Sequence, residues 1–554
     1  MSDLPPLPGL DAPDALFRAA TVALARGADG AMLARLSEAC RRHPWHAGLG
    51  LRRGDALQLA GQAGEAVTAY RAALAIDPSL FEAWYGLGSA QLRLRVFADA
   101  RDALGKALAL VPAAHGAACA LAEALFQLGE VDAAVAAYRQ AAAGPAEVRA
   151  AALSSLATII PGSPAGDHAA VLAARRGWAE AAAARIQPLP QRPPAAGRAV
   201  RVGYLSAFFG DRNWMKPVFG VINAHDRSRF EVHMISDGGY PSAEAGYVDH
   251  AEDRVWRVRG MPNAELAQRI AAAEIDVLVD LNGYSLVNRL GLLPYRAARR
   301  QFGWFNMFAT TGMPGLDALI GDGESVMAAE EPFHSEAILR VPGSYLAFSV
   351  LYPVPPVARP PCATAGHVTF GCLGSAYKLT GPTLDAWAAI LRGAPAARLL
   401  IKNPTLDEAS CRADLLRRFS ARGVEAGRLS FSGRSEHFAF LQQYDEVDIA
   451  LDTFPYNGGT TTTEALWQGV PVLTTAGDRW AGRTSRSILV AAGLGGWVAR
   501  DLDGFVAEGI RLARDPATPA ALTALRSGMR AGLAASPVCD SAGLCRALEA
   551  IYLG

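Results

Sequence analysis

Cysteine is scarce and scattered. Seven thiols, Cys40, Cys119, Cys362, Cys372, Cys411, Cys539 and Cys545, are spread over 554 residues with no CxxC pair. That argues against a disulfide frame and against a zinc site built on paired thiols, and it predicts a reducing, cytoplasmic setting. Net charge is also missing. The 53 basic residues balance the 53 acidic ones, so there is no broad electrostatic footprint for nucleic acid. No uninterrupted apolar run reaches the roughly 18 residues that a membrane span needs. The opening MSDLPPLPGLDAPDAL lacks a basic start and an apolar h-region, so no secretory signal is expected there. No Asp-x-Asp pair stands at a predicted strand end, so the chemistry is expected to proceed without a metal or other cofactor.

What is abundant is apolar and small. The chain is 51% hydrophobic and rich in alanine, and its length predicts two to four domains. A repeat runs through the first third. Ala66, Ala100 and Ala134 are thirty-four residues apart, and so are Tyr70, Leu104 and Tyr138. Pro78 and Pro112 close two successive units. Trp84, Leu87 and Gly88 mark a first helix, and Leu121-Ala122 occupies the equivalent place one unit on. This is the tetratricopeptide pattern, in which each unit is a helix pair and the proline stops the second helix. The solenoid is expected over 14–160, with a degenerate first unit from Asp14 to about Pro44. Such an array offers a concave surface for an extended peptide or partner protein. A purely structural or dimerising arm is the alternative, which leaves a homodimer open.

A further helix, about Asp167 to Ile186, and a Pro-rich linker, Gln187 to Gly197, occupy 161–197. Then the pattern changes to alternating strands and helices, the signature of a parallel sheet covered on both faces. Strands are expected at Arg198–Ala207, Phe230–Ser236, Ile275–Leu281, Gln301–Met307, Ala318–Ile320 and Ala337–Val341. A Pro-rich connector, Pro353 to Pro361, closes this half (198–355). A second half (365–554) carries strands at His367–Leu373, Ala397–Lys402, Arg428–Ser432, around Ile449–Leu451, and Pro471–Thr475. Thr380 is expected to cap the helix after the first of these, and the last helix, Ser541 to Leu553, is expected to pack back on this half. The fold class is therefore α + α/β: a helical solenoid followed by two Rossmann-like halves.

The densest stretch is VDIALDTFPYNGGTTTTEALWQGVP, Val447 to Pro471. It reads as strand, Gly-rich turn, helix. Gly458 and Gly459 let backbone N–H groups approach a ligand, and a helix start adds unpaired donors and a positive dipole end. Thr460 to Thr463 put hydroxyls at the same place. The pattern suits a diphosphate, with Glu464 one turn in, where a carboxylate can accept from ribose hydroxyls. A plain helix cap with a tight turn is the other reading.

LDTFPYNGGTTTTEALWQGVPVLT closely resembles the nucleotide-sugar segment of the O-GlcNAc transferase and SPINDLY family (glycosyltransferase family 41-like), and the chain looks like a divergent bacterial-type member with N-terminal repeats. VRVGYLS, DVLVDLNGY and the TTG turn at Thr310, Thr311 and Gly312 follow the family's first half. The resemblance implies a GT-B architecture, inverting chemistry, and a nucleotide sugar held mainly by the second half. It implies Lys378, in GSAYKLTGPT, at the diphosphate as the catalytic cation, with Tyr377 beside it and Ser375 where the family uses an amide. It implies His437 beside the base, Thr460 and Thr461 at the diphosphate, and Glu464 at the ribose. Gly459 stands where animal O-GlcNAc transferases have histidine. Lys402 faces either donor or solvent, and Arg483 is either an ion pair or a phosphate contact.

The acceptor side departs from the family. An Asp-Phe pair and a following histidine are replaced by Phe208-Phe209 and Arg212, and Tyr-Pro-Gly before TTG is Met307-Phe308-Ala309. Asp211, Arg212, Tyr284, Thr310 and Thr311 are the acceptor-side candidates, and no side-chain base is evident, because a guanidinium stays protonated. The implied activity is protein O-glycosylation, moving GlcNAc from UDP-GlcNAc to Ser or Thr of a polypeptide held by the repeats. GDP-fucose-dependent transfer, as in a SPINDLY-like enzyme, and flagellin modification with another nucleotide sugar are the alternatives. A repeat-based adaptor with a degenerate transferase domain is the rival of another class.

Overall fold

The computed structural model describes residues 9–554 except 26, 28, 192, 194–196 and 286. Part of the expected Pro-rich linker, at 192 and 194–196, and two positions of the first repeat unit thus lie outside the described residues. Contacts group the chain into two compact units: the first through Leu153 together with Thr405–Arg417, the second from Ser154 to Pro404 and from Arg418 onward. The segment 405–417, expected in the second half on sequence grounds, is thus compact with the repeats.

The first unit is a series of antiparallel helix pairs. Among them are Ala47–Leu59 with Ala63–Ile76, Phe81–Arg93 with Phe97–Leu110, and His115–Gln127 with Val131–Ala142. The repeat spacing has a steric cause. A Cβ on Gly54 would lie 2.5 Å from the Tyr70 ring, and a Cβ on Gly88 would collide with Leu104. Glycine on one helix thus receives the large residue of the next, and both partners recur after one repeat. Tyr70 also donates its hydroxyl to Asp55 Oδ1 at 2.8 Å, which satisfies a buried polar atom.

The second unit holds two parallel sheets. The first runs β1 Val200–Ser206, β2 Phe230–Ser236, β3 Arg254–Arg257, β4 Val277–Asp280, β5 Arg300–Gly303, β6 Ala318–Asp322 and β7 Ala337–Val341. Its order is β3-β2-β1-β4-β5-β6-β7. The second runs β8 Thr369–Cys372, β9 Arg398–Lys402, β10 Leu429–Ser432, β11 Ile449–Leu451, β12 Val472–Thr475 and β13 Val498–Ala499, in the order β10-β9-β8-β11-β12-β13. Every pairing is parallel. Both halves therefore reverse strand order beside their first strand, where doubly wound sheets open a crevice at the strands' carboxyl ends.

Four elements differ from what the sequence predicts; one is the two-residue strand β13, which has no expected counterpart. β3 has no counterpart among the expected strands: it is a short edge strand, RVWR, with only Trp256 buried, so it carries no apolar run. β5 stops at Gly303 rather than Met307, because Phe305 takes φ +75° and Phe308 φ +53°, conformations that break a strand. The last helix, Ser541–Leu553, packs on the first half rather than the second. Its Glu549 accepts from His225 Nδ1 at 2.8 Å and from the Asp226 amide at 3.0 Å, and its Tyr552 ring stacks on Phe302. One hydrophobic core runs through both halves and includes Ala157 and Ala179. The helix His168–Ala183 is thus part of this unit and not a free connector.

Candidate functional site

Strand β11 runs into Asp452, whose carboxylate braces the Gly-rich turn. Its Oδ1 accepts from the Thr453 and Gly458 amides, both at 3.0 Å, and its Oδ2 accepts from Thr474 Oγ1 at 2.6 Å. Asn457 donates its side-chain amide to Gly482 O at 2.7 Å. These bonds fix the path of the turn from behind. A Cβ on Gly458 would collide with Thr462 Oγ1, so the turn needs glycine there.

The next helix is Thr460–Trp467. The threonines are its first turn, with Glu464 one turn in as expected. Gly459 precedes it and brings no side-chain cap. Thr462 is spent on Ser485 Oγ at 2.8 Å, and Thr463 on Gly459 O at 3.4 Å. Thr460 and Thr461 line the cleft in front of the turn. The local result is a helix start whose first amides and two hydroxyls border a cavity, an arrangement that favours an anion.

That cavity measures about 580 Å³ and is lined from both halves. It collects Ser375, Lys378, Lys402, His437, Gly459, Thr460, Thr461 and Glu464. Lys378 Nζ donates to Asn457 O at 2.6 Å and lies 4.2 Å from the centre of the Tyr456 ring, so its ammonium sits at the turn itself. Lys402 is buried and donates to Ser432 Oγ and Gly433 O at 3.0 and 2.8 Å, which makes it a brace of the β9–β10 loops as well as a lining residue. Tyr377 is not in the lining; its ring meets Tyr456 at 6.1 Å and supports it from the side. Thr380 stands at the N-cap of its helix as expected, but its hydroxyl makes no capping bond. Its hydroxyl, with that of Thr383, goes instead to Phe454 O, tying this helix to the same turn.

Glu464 is not left free for a ligand. It is buried against Lys216 Nζ, with His437 Nε2 3.8 Å from the same carboxylate oxygen. Burial pushes the Glu464 carboxyl up and the Lys216 ammonium down, and their contact opposes both shifts. His437 is pushed down to about 4, first by burial and then by the Lys216 and Arg212 charges. It stays a neutral imidazole at neutral pH, packed edge-on to Tyr352 at 5.1 Å.

The acceptor-side candidates fare differently. Thr310 and Thr311 are buried, and both hydroxyls donate to Glu336; Thr310 does so at 2.7 Å, and the Thr311 amide adds a bond at 2.8 Å. Tyr284 donates to Thr311 O at 2.6 Å beneath the Arg175 guanidinium, 4.0 Å from its ring. Arg175 in turn donates to Thr310 O at 2.6 Å. The TTG turn and Tyr284 are thus an internal brace, not a cleft wall. Asp211 caps the short helix Arg212–Met215, accepting from the Asn213 amide at 2.9 Å. Arg212 donates to Glu244 O at 3.0 Å and borders a small hollow separate from the cleft lining. Arg483 is an ion pair with Glu330 at 2.5 Å, which decides between its two expected roles.

The wall that the first half contributes to the cavity is aromatic. Trp214, Phe305 and Phe308 line it, Trp214 stacks on Phe208 at 4.1 Å, and Phe308 meets Tyr456 at 5.2 Å. Sequence reasoning marks Phe208 as a departure but misses Trp214 and Lys216. Their only signal is position, a few residues past the end of β1. Among the described residues, one cluster has ligand atoms close enough for a metal: His225, Cys545 and Glu549. It lies outside the cleft lining. His225 is already committed to Glu549 and, at 2.7 Å, to Tyr204, so the group reads as a polar tie between helix and sheet.

Known proteins share the sequence pattern and the fold. The profile described as "Glycosyl transferase family 41" matches residues 185–347 and 364–547. Profiles described as "TPR repeat" and "Tetratricopeptide repeat" match 54–94 and 115–143. The chain is 32% identical over 367 residues to "Probable UDP-N-acetylglucosamine--peptide N-acetylglucosaminyltransferase SPINDLY" of Hordeum vulgare, covering 65% of this chain and 38% of that one. The Arabidopsis thaliana protein of the same description is 31% identical over 371 residues, covering 66% and 39%. The chain thus spans about two fifths of the length of these plant relatives. A solved structure of a Thermobaculum terrenum O-GlcNAc transferase mutant superposes with a TM-score of 0.74 at 30% identity, covering 92% of this chain and 96% of that one. The two-sheet GT-B fold is common to both.

Proposed function

The chain belongs to glycosyl transferase family 41, and from that premise we propose that its cleft moves a sugar from a nucleoside diphosphate to a Ser or Thr hydroxyl of a polypeptide. The donor proposed first is UDP-GlcNAc, the nucleotide sugar in the names of the relatives. The repeat unit is proposed to recruit the acceptor protein. The observation that carries this reading is the Thr460 turn: helix-start amides, the Thr460 and Thr461 hydroxyls and the Lys378 ammonium border one cavity.

In the proposed reaction the acceptor oxygen attacks the anomeric carbon from the face opposite the diphosphate. The bond from that carbon to the phosphate oxygen breaks, and the electron pair leaves with the nucleoside diphosphate. Lys378, the two threonine hydroxyls and the helix start stabilise that growing negative charge, so no metal is invoked. The proton of the acceptor hydroxyl is assigned to an oxygen of the departing diphosphate. Among the described lining residues the carboxylates are Glu436 and Glu464, and Glu464 is held by Lys216. The aromatic wall of Trp214, Phe305 and Phe308 excludes water from the attacking side and favours apolar groups next to the accepting hydroxyl.

Thermal shift with UDP, GDP and CMP tests the donor assignment. Saturable stabilisation by UDP is the expected result. Stabilisation by GDP instead would move the donor to a guanosine sugar such as GDP-fucose, and stabilisation by none would favour the repeat-based adaptor. Intact-mass analysis of co-expressed candidate acceptors, flagellin included, then names the sugar class from the mass increment.

A further inference from the structure

We propose that Lys216 is a positioning residue for nucleoside recognition: one buried ammonium, delivered by the first half, fixes the protonation and hydrogen-bonding faces that Glu464 and His437 present to the cleft. The inference rests on reading that cleft as a nucleotide site. Lys216 directly succeeds the short helix Arg212–Met215, and its side chain is 2% exposed. Its Nζ touches the Glu464 carboxylate, lies 3.2 Å from His437 Nε2 and stands 4.7 Å from the centre of the Tyr352 ring. Lys216 itself is absent from the cleft lining, whereas Glu464 and His437 belong to it. It acts from behind them.

The chemistry of an ammonium makes this contact informative. It has three donor hydrogens and no acceptor. Facing His437, it requires a lone pair on Nε2, so the ring is neutral and its proton sits on Nδ1. Facing Glu464, it favours the ionised form over the neutral acid, so the residue is held as a carboxylate. The nucleoside subsite is thereby left with a carboxylate that only accepts and an imidazole whose remaining polar atom only donates. A ribose diol matches the first. Without Lys216 the carboxylate would be buried with no cation and would take up a proton, turning an acceptor into a donor.

The other groups facing His437 do not replace this cation. Arg212 comes from the same segment as Lys216 but is engaged by Glu244 O. Glu464 approaches from the Thr460 helix, and Tyr352 presents its ring. Phe440 stacks from the next turn of the histidine's own helix, and Arg434 and Glu436 precede that helix in the chain.

The test is binding of UDP and of 2′-deoxy-UDP, from about pH 5 to about pH 8, to the full chain and to Lys216→Met and Lys216→Arg. The wild type is expected to prefer the ribonucleotide by a ratio that stays constant with pH, because the terminal phosphate titrates alike in both ligands. Lys216→Met is expected to bind UDP about tenfold more weakly at neutral pH, to lose the ribose preference and to gain a pH dependence as Glu464, no longer paired, takes up a proton. Lys216→Arg is expected to restore both. A purely structural lysine would lower both affinities together and leave their ratio and pH profile unchanged, and that result would overturn the inference. Binding of neither nucleotide by the wild type would instead overturn the cleft assignment itself. Should Lys216→Met not fold, imidazole nitrogen shifts of the wild type decide. With the signal identified by His437→Asn, a proton on Nδ1 is expected, and a proton on Nε2 contradicts the proposal.

Discussion

The two halves of the second unit are built on the same parallel strand order, yet they spend their strand-end polar groups in opposite ways. In the first half, Thr310, Thr311 and Tyr284 are satisfied by Glu336, Arg175 and one another. In the second half, Asp452 and Asn457 hold the turn from behind, so that Thr460, Thr461 and Lys378 border the cavity. A shared scaffold does not distribute chemistry evenly. What makes a loop a site is that its donors are positioned but not consumed.

The largest expected effect lies on the unspent side. Lys378→Ala is expected to lower sugar transfer by about a hundredfold to a thousandfold, the usual cost of removing a group that stabilises developing charge. Its unfolding curve should match the wild type, because the ammonium's hydrogen bond goes to a turn carbonyl. Wild-type turnover in a purified transfer assay would remove Lys378 from its role. Thr460→Val and Thr461→Val come next, each expected to weaken UDP binding by about tenfold in a calorimetric titration.

Substitutions on the spent side should invert that outcome. Thr311→Val removes a buried donor to Glu336 and is expected to cost about 1–3 kcal/mol of stability in urea unfolding, with UDP affinity within about twofold of wild type. If Thr311→Val impaired binding as strongly as Thr460→Val, the contrast between the halves would fail. The smallest effect is a pH slope. His437 is held at about 4 against an ordinary 6.5, so between these values the unfolded chain binds the extra proton. Stability is therefore expected to fall as pH drops from about 6.5 to about 4, and His437→Gln should flatten that part of the slope in thermal unfolding.

Much of this is legible in the residues. The thirty-four-residue spacing announces the helix pairs, because the glycines and large side chains that interlock must recur together. The strands at Phe230–Ser236 and Ala337–Val341 match to the residue, since both are apolar runs with clear punctuation. The Thr460 turn is legible because glycine, hydroxyl and helix start are adjacent in the chain. The first-half wall is not. Thr310 and Thr311 look like ligand donors until Glu336, distant in sequence, is seen to take both. Lys216 looks like a solvated charge until Glu464, 248 residues on, closes over it. Local pattern shows which polar groups a turn offers; only the fold shows which of them are already bound.

The central claim is that a diphosphate sits at the Thr460 turn, and a crystal structure of the chain with UDP tests it most directly. The account predicts diphosphate oxygens within hydrogen-bond distance, about 3 Å, of Lys378 Nζ and of the Thr460 or Thr461 hydroxyl. UDP bound with its phosphates away from both would contradict it.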